Sequence, residues 1–162
     1  IDFNLEPGKV TGSVHGLVVE MIAIDTRFSN FERLNVTTGT GNDYLGGGAG
    51  EDRLNGAMGD DIIMGGKGKD ILTGGAGSDL FRFYAGDSGA GGANRDYITD
   101  FEHGVDHIQI LGAKSFTISQ IGENALLKAD YDGDGKYESH FTVAFAAGYT
   151  YADFAASDIL LV

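Results

Sequence analysis

Five aspartates stand nine residues apart in one unbroken phase: Asp43, Asp52, Asp61, Asp70 and Asp79. A carboxylate is a hard oxygen donor, and carboxylates stacked about 5 Å apart repel one another unless a cation lies between them. An all-oxygen donor set of this kind suits Ca2+ far better than zinc or copper. A second acidic run, Asp130-Tyr131-Asp132-Gly133-Asp134-Gly135-Lys136-Tyr137-Glu138, places carboxylates at relative positions 1, 3, 5 and 9 with glycine at 6. That is calcium-loop spacing, although Phe141 stands where an EF-hand has its bidentate glutamate. Two readings of this run stay open. Either Asp130, Asp132 and Asp134 hold an ion, or the run is an acidic hairpin turn between strands at Ala125–Ala129 and His140–Ala144.

The elements that must position the first five aspartates follow from the residues between them. Cut from Thr38 onward, the chain reads TGTGNDYLG, GGAGEDRLN, GAMGDDIIM, GGKGKDILT and GGAGSDLFR. The fourth place is always glycine, the sixth always aspartate, and the eighth always large and apolar (Leu45, Leu54, Ile63, Leu72, Phe81). The first and second places are glycine except at Thr38 and Ala57. Glycines at these places allow a tight turn with close backbone approach, and the triplet after the turn is a short strand with one inward side chain. Two units make one coil, so eighth-place residues enter the interior alternately from opposite sides. The expected fold is all-β: a right-handed parallel β-roll over residues 38–92, with a strand-rich lead-in over 1–37 and a β-cap over 93–162.

Such a coil buries about one large side chain per nine residues, too little to offset ordering a glycine-rich backbone at roughly 1–2 kcal/mol per residue. Metal must supply the difference. Stacking puts Asp43, Asp61 and Asp79 on one edge and Asp52 and Asp70 on the other. Counting the gaps gives at least three Ca2+ ions. Thr38 and Ala57, which replace glycines, predict looser first and third turns with weaker calcium.

Composition narrows the function classes. The 162 residues carry 24 Asp+Glu against 11 Lys+Arg, a formal net charge of −13. That balance argues against a nucleic-acid groove or an anionic-membrane patch. There is no cysteine, hence no disulfide, thiolate metal site or cysteine nucleophile. No apolar run is long enough to be a transmembrane segment. The chain opens on Ile1, which leads us to expect a fragment of a longer protein.

At these repeats the chain resembles the RTX (repeats-in-toxin) calcium-binding proteins, whose nonapeptide is G-G-x-G-x-D-x-U-x. The resemblance extends to IDFNLEPGKVTG and FSNFERLNVTTGTGND, which look like the lead-in before such a block. It also extends to RDYITDFEHGVDHIQI, similar to the run that closes the roll in serralysin-type metalloproteases and alginate epimerase R-modules. By that resemblance the D-x-I-x-D-F segment caps the last coil, which implies Asp100 and Asp96 as further calcium ligands. The terminus Asp158-Ile159-Leu160-Leu161-Val162 looks like the C-terminal signal of type I secreted proteases and lipases. The resemblance implies a non-enzymatic module of a secreted or cell-surface protein, folding on extracellular Ca2+ and engaging the type I secretion machinery. An alternative is a carbohydrate-binding (alginate-like) module of a secreted polysaccharide-modifying enzyme, engaging an extracellular polysaccharide, or the C-terminal part of an RTX protease, lipase or adhesin.

Catalytic signatures are missing. His103 and His107 stand four apart with Gly104 between them and no HExxH, so the protease zinc site of the serralysin relatives is not here. No Gly-x-Ser-x-Gly elbow and no phosphate-binding glycine loop occurs. His15 and His140 are expected on strands. Phe116, Tyr131, Tyr137, Phe141, Phe145, Tyr149, Tyr151 and Phe154 invite a sugar-binding reading, but their alternation with polar residues favours the core of the cap. One short helical turn is expected over Thr150–Ala156, before the terminal strand.

Overall fold

The computed structural model describes residues 15–20 and 33–162. In chain order the strands are β1 (His15–Glu20), β2 (Arg33–Thr37), β3 (Tyr44–Gly50), β4 (Arg53–Met58), β5 (Ile62–Gly68), β6 (Ile71–Ala76) and β7 (Leu80–Tyr84). There follow β8 (Asp96–Phe101), β9 (His107–Leu111), β10 (Ser115–Ile121), β11 (Asn124–Asp130), β12 (Ser139–Phe145) and β13 (Ile159–Leu161).

The chain winds between two sheets, and this follows from the nine-residue phase. One sheet runs β1-β2-β4-β6-β8-β12-β11-β10, the other β13-β9-β7-β5-β3. Strands of the coils are parallel, and Tyr44 lies beside Ile62, Ile62 beside Leu80, and Arg53 beside Ile71. Each step is two nonapeptides, so the same place in successive coils is stacked. The protein is a parallel β-roll.

Eighth-place side chains form the interior. One wall is Leu45-Ile63-Phe81-Ile108-Ile159 and the other Val36-Leu54-Leu72-Ile98, each residue in register with the next. All are buried. Phe81, the last eighth-place residue of the repeat block, meets Phe101 at 6.3 Å between ring centroids. There the thin roll core opens into an aromatic one: Phe83 stacks on Phe141 at 4.1 Å, and Phe101 meets Phe154 edge-on at 5.3 Å. Of the eight aromatics of the last third, Phe141 and Phe154 are buried, while Phe116, Tyr131, Phe145 and Tyr151 pack against the core. Tyr137 and Tyr149 stay outside it.

Residues 124–145 form the antiparallel hairpin expected around the second acidic run, with Ala125 opposite Val143 and Ala129 opposite Ser139. The helical turn expected over Thr150–Ala156 is instead split. The N–H groups of Asp153 and Phe154 donate to Thr150 and Tyr151 carbonyls, and a separate turn of 3-10 helix spans Ala156–Asp158. The buried Asp158 carboxylate separates the two turns by accepting the Ala155 N–H at 2.8 Å.

Candidate metal centre

Because sixth-place residues stack, the five repeat aspartates fall into two rows, one on each edge of the roll. On the first edge the Asp43 N–H donates to Asp61 Oδ1 (2.7 Å) and the Asp61 N–H to Asp79 Oδ1 (2.9 Å). On the second edge the Asp52 N–H donates to Asp70 Oδ1 (2.8 Å), and the Asp70 N–H to Asp96 Oδ1 (2.9 Å). Asp61, Asp70, Asp79 and Asp96 each spend one oxygen on the coil before. All six aspartates are at most 3% exposed.

The other oxygen is the functional atom. Oδ2 of Asp52, Asp61, Asp70, Asp79 and Asp96 is buried without a hydrogen-bond partner. Buried carboxylate oxygens are normally paired, because leaving one unsatisfied costs several kcal/mol or forces protonation. Burial accordingly pushes Asp61 and Asp79 up to about 6, Asp70 up to about 7 and Asp96 up to about 8; neighbouring carboxylates add to the effect. Asp52 is also raised by burial. These are carboxyl groups that either hold a proton or face a cation.

First-place glycines leave room for that cation's ligands. A Cβ on Gly47 would collide with both Asp52 Oδ2 and the Gly65 carbonyl oxygen; on Gly56 it would meet Asp61 Oδ2 and the Gly74 carbonyl. A carboxylate oxygen of one coil and a carbonyl oxygen of the next therefore converge on one space. Unpartnered carboxylate oxygens beside backbone carbonyls form an all-oxygen donor set, and the residues present fit calcium.

The repeat phase alone does not reveal where the rows end. Asp106 continues the first edge, accepting the Asp79 N–H at 3.0 Å across a step of 27 residues. Its second oxygen accepts the Glu102 N–H at 2.8 Å, so it closes the row with both oxygens occupied. The signal was present in Gly104-x-Asp106-x-Ile108, which repeats the G-x-D-x-U core of the nonapeptide out of phase. Asp96 lies in the second row, and its own N–H donates to Ser88 Oγ at 3.0 Å. Asp100 turns both oxygens onto the Gly74 and Gly75 N–H groups (3.0 and 2.9 Å) and so fixes the last glycine turn.

The second acidic run gathers Asp130, Asp132, Asp134 and Glu138 so that one ligand atom of each lies within 4.8 Å of the others. Asp130 is buried and accepts from the Gly133 and Gly135 N–H groups. Asp132 accepts the Asp134 N–H, Asp134 pairs with Lys136, and Glu138 accepts the Tyr131 N–H. Among the described residues this is the one cluster of three or more His, Cys, Asp or Glu side chains with such mutually close atoms.

The two four-spaced histidines do not converge. His103 Nδ1 meets Asp158 Oδ2 at 2.9 Å, while His107 opens β9 beside Leu80. His140 lies in β12, its pKa lowered first by burial. The side chain of His15 lies outside the described residues. Among the described residues no helix is long and apolar enough to cross a membrane.

Comparison with known proteins agrees with the geometry. No curated protein matches the chain. Among solved structures, the AlgE6R3 subunit of the Azotobacter vinelandii mannuronan C5-epimerase is similar with a TM-score of 0.59 and 29% identity, over 79% of this chain and 77% of that one. The AlgE6R2 subunit of the same organism's epimerase is similar with a TM-score of 0.54 and 25% identity, over 91% and 92%. The family model of the peptidase M10 serralysin C terminal matches residues 23–154. With stacked acid rows, a shared roll and that match over most of its length, the chain belongs to the serralysin C-terminal family.

Proposed function

We propose that this chain is a non-enzymatic calcium-binding module that condenses when Ca2+ is supplied. The observation that carries the reading is the set of buried Oδ2 atoms without partners on Asp52, Asp61, Asp70, Asp79 and Asp96. Asp43, Asp52, Asp61, Asp70, Asp79 and Asp96 would hold at least three ions between coils, together with turn carbonyls. Asp100 sits beside the last turn and supports it. Asp130, Asp132 and Asp134, with Glu138, form a separate candidate site in the hairpin.

Calcium supplies positive charge between like-charged rows, and the rest is the chain's own work. Turns converge the oxygens, strands hold the rows in register, and the cap gives the last coil a wall to pack on. An ion present at about 100 times its dissociation constant adds about 2.7 kcal/mol to folding. Several ions acting together convert a segment that cannot pay its ordering cost into a stable domain. This fits a chain exported unfolded through a type I secretion machinery and folded in extracellular calcium, as a secreted or cell-surface protein. Leu160, Leu161 and Val162, which with Asp158 and Ile159 carry the resemblance to a type I secretion signal, are exposed. Far-UV circular dichroism in chelator and in millimolar calcium chloride tests the reading: a large gain of β signal with calcium is expected, and identical spectra would overturn it.

A second reading, a module for an extracellular polysaccharide, is favoured by one feature. Asn35, Thr37, Arg53, Asn55, Ile71 and Thr73 line a shallow, mostly polar groove on the outer face of β2, β4 and β6. Glycan-array binding that vanishes with EDTA supports it, and silence on a broad array counts against it.

A further inference from the structure

The two edges of the roll are not equivalent, and the difference lies in the fifth place of the repeat. On the first edge that place holds Asn42, Asp60 and Ser78; on the second it holds Glu51 and Lys69. The Asp60 N–H donates to Asn42 Oδ1 (2.9 Å), the Ser78 N–H to Asp60 Oδ1 (2.8 Å), and Ser78 Oγ to the Val105 carbonyl (2.7 Å). A side-chain ladder therefore runs through all the first-edge turns and into the loop before Asp106. Two further ties fix the ends of the same stack. Thr38 Oγ1 donates to the Gly56 carbonyl at 2.6 Å, and Asp100 accepts from Gly74 and Gly75.

Second-edge turns have no such scaffold. The tie they do have, from Glu51 to Arg33 at the same station one coil earlier (2.8 Å), is an ion pair with side chains 61% and 63% exposed, which contributes little. Among the described residues, no side-chain hydrogen bond joins the turn at 47–51 to the turn at 65–69. A long, charged Glu or Lys cannot fold back onto the stacked backbone as a short Asn, Asp or Ser does. Among the described residues, what joins these two turns to each other is backbone pairing, from Gly48 beside Gly66 to Gly50 beside Gly68.

We propose that Asn42, Asp60 and Ser78 are positioning residues that make the first-edge calcium sites tighter than the second-edge ones. The proposal rests on the calcium reading given above and adds a rank to the sites. A turn already ordered by its neighbours loses less entropy when its oxygens close on an ion, whereas an unsupported turn must be ordered at the moment of binding. Calcium then fills the roll in two stages, the Asp43-Asp61-Asp79 edge before the Asp52-Asp70-Asp96 edge. This is the reverse of the order expected from Thr38 and Ala57, which both lie in first-edge turns; the Thr38 bond to the Gly56 carbonyl ties those turns together instead of loosening them.

Calorimetric calcium titration of the whole chain, followed in parallel by circular dichroism, tests this. The wild-type isotherm is expected to show two phases. Asp60→Ala removes an acceptor from the ladder and is expected to weaken the tight phase about tenfold, the worth of a net hydrogen bond. Asp60→Asn keeps the acceptor and discards the charge, and is expected to leave that phase in place. Asp70→Asn is expected to diminish only the weaker phase. If Asp60→Ala does not fold, Asn42→Ala, which trims the exposed end of the ladder, gives the same comparison. A single wild-type phase, or equal loss with Asp60→Ala and Asp60→Asn, overturns the ranking while leaving calcium binding intact. No calcium uptake at all overturns the functional reading, and the ranking with it.

Discussion

The backbone N–H of Leu34 donates to Asp52 Oδ1 at 2.6 Å, the same bond that every later sixth-place residue makes to the next coil. Leu34 therefore occupies an aspartate's station at the start of the second edge, fully buried and without a carboxylate. Replacing it tests what the station requires. Leu34→Asp in chelator adds another buried acid to an unneutralised row and is expected to destabilise the roll by about 2 kcal/mol or more. In calcium the same variant gains a gap between carboxylates, and mass spectrometry under native conditions is expected to count one more ion. An unchanged count would show that the station cannot be converted.

Much of this was legible in the repeat, and what escaped did so for identifiable reasons. The phase of glycine, aspartate and the eighth-place residue dictated the coil strands β3–β7, their register and the row to which each of the five repeat aspartates belongs. Leu34 escaped because the coil needs only a backbone N–H at that station, which any residue except proline supplies. Asp96 and Asp106 follow their row neighbours after 26 and 27 residues, because inserted loops break the count while leaving the stacking intact. The fifth-place ladder escaped because Asn42, Asp60 and Ser78 are different residue types that share a short acceptor or donor rather than an identity.

Ala57 is the one non-glycine residue with positive φ among those described, at 71°. It stands in the second place of the third unit, where Gly48, Gly66 and Gly75 adopt φ near 100°. A left-handed alanine costs about 1–2 kcal/mol. Ala57→Gly is expected to recover about 1 kcal/mol, read as a higher melting temperature in calcium. The reverse change at Gly68, whose Cβ would strike the Gly50 carbonyl, is expected to abolish cooperative folding.

Acid and calcium act on the same oxygens in opposite directions. Burial raises Asp61 and Asp79 to about 6, Asp70 to about 7 and Asp96 to about 8 in the metal-free fold, above the ordinary value of 3.8. Between the ordinary value and these raised ones the folded chain binds more protons than the unfolded chain. Metal-free stability therefore falls as pH rises through this window. Circular dichroism in chelator is expected to show more structure at mildly acid pH than at mildly alkaline pH. Calcium must displace those protons, so its apparent affinity is expected to rise over the same interval. A metal-free fold indifferent to pH would contradict the raised values.

Asp70 and Asp106 are both buried row members, yet their removal should read differently. Asp70 keeps an oxygen without a partner, so Asp70→Asn is expected to lower calcium uptake. Asp106 has both oxygens bound to backbone N–H groups. Asp106→Asn turns an amide toward one of them and leaves a buried clash of donors. A loss of about 1–3 kcal/mol with an unchanged ion count is expected, from thermal unfolding and calcium titration together.

The junction at Phe81 and Phe101 has a consequence for assembly. A solenoid of identical coils has open ends whose strands can recruit another molecule, and growth of that kind yields filaments. Here β12 lies along β8 and β13 along β9, so the last coil of the roll is covered, and the sheets end instead on β10 and on the three-residue β13. A truncation before Ser139 would strip that cover from β8 and β9, and is expected to turn a capped coil into a template on which further copies stack.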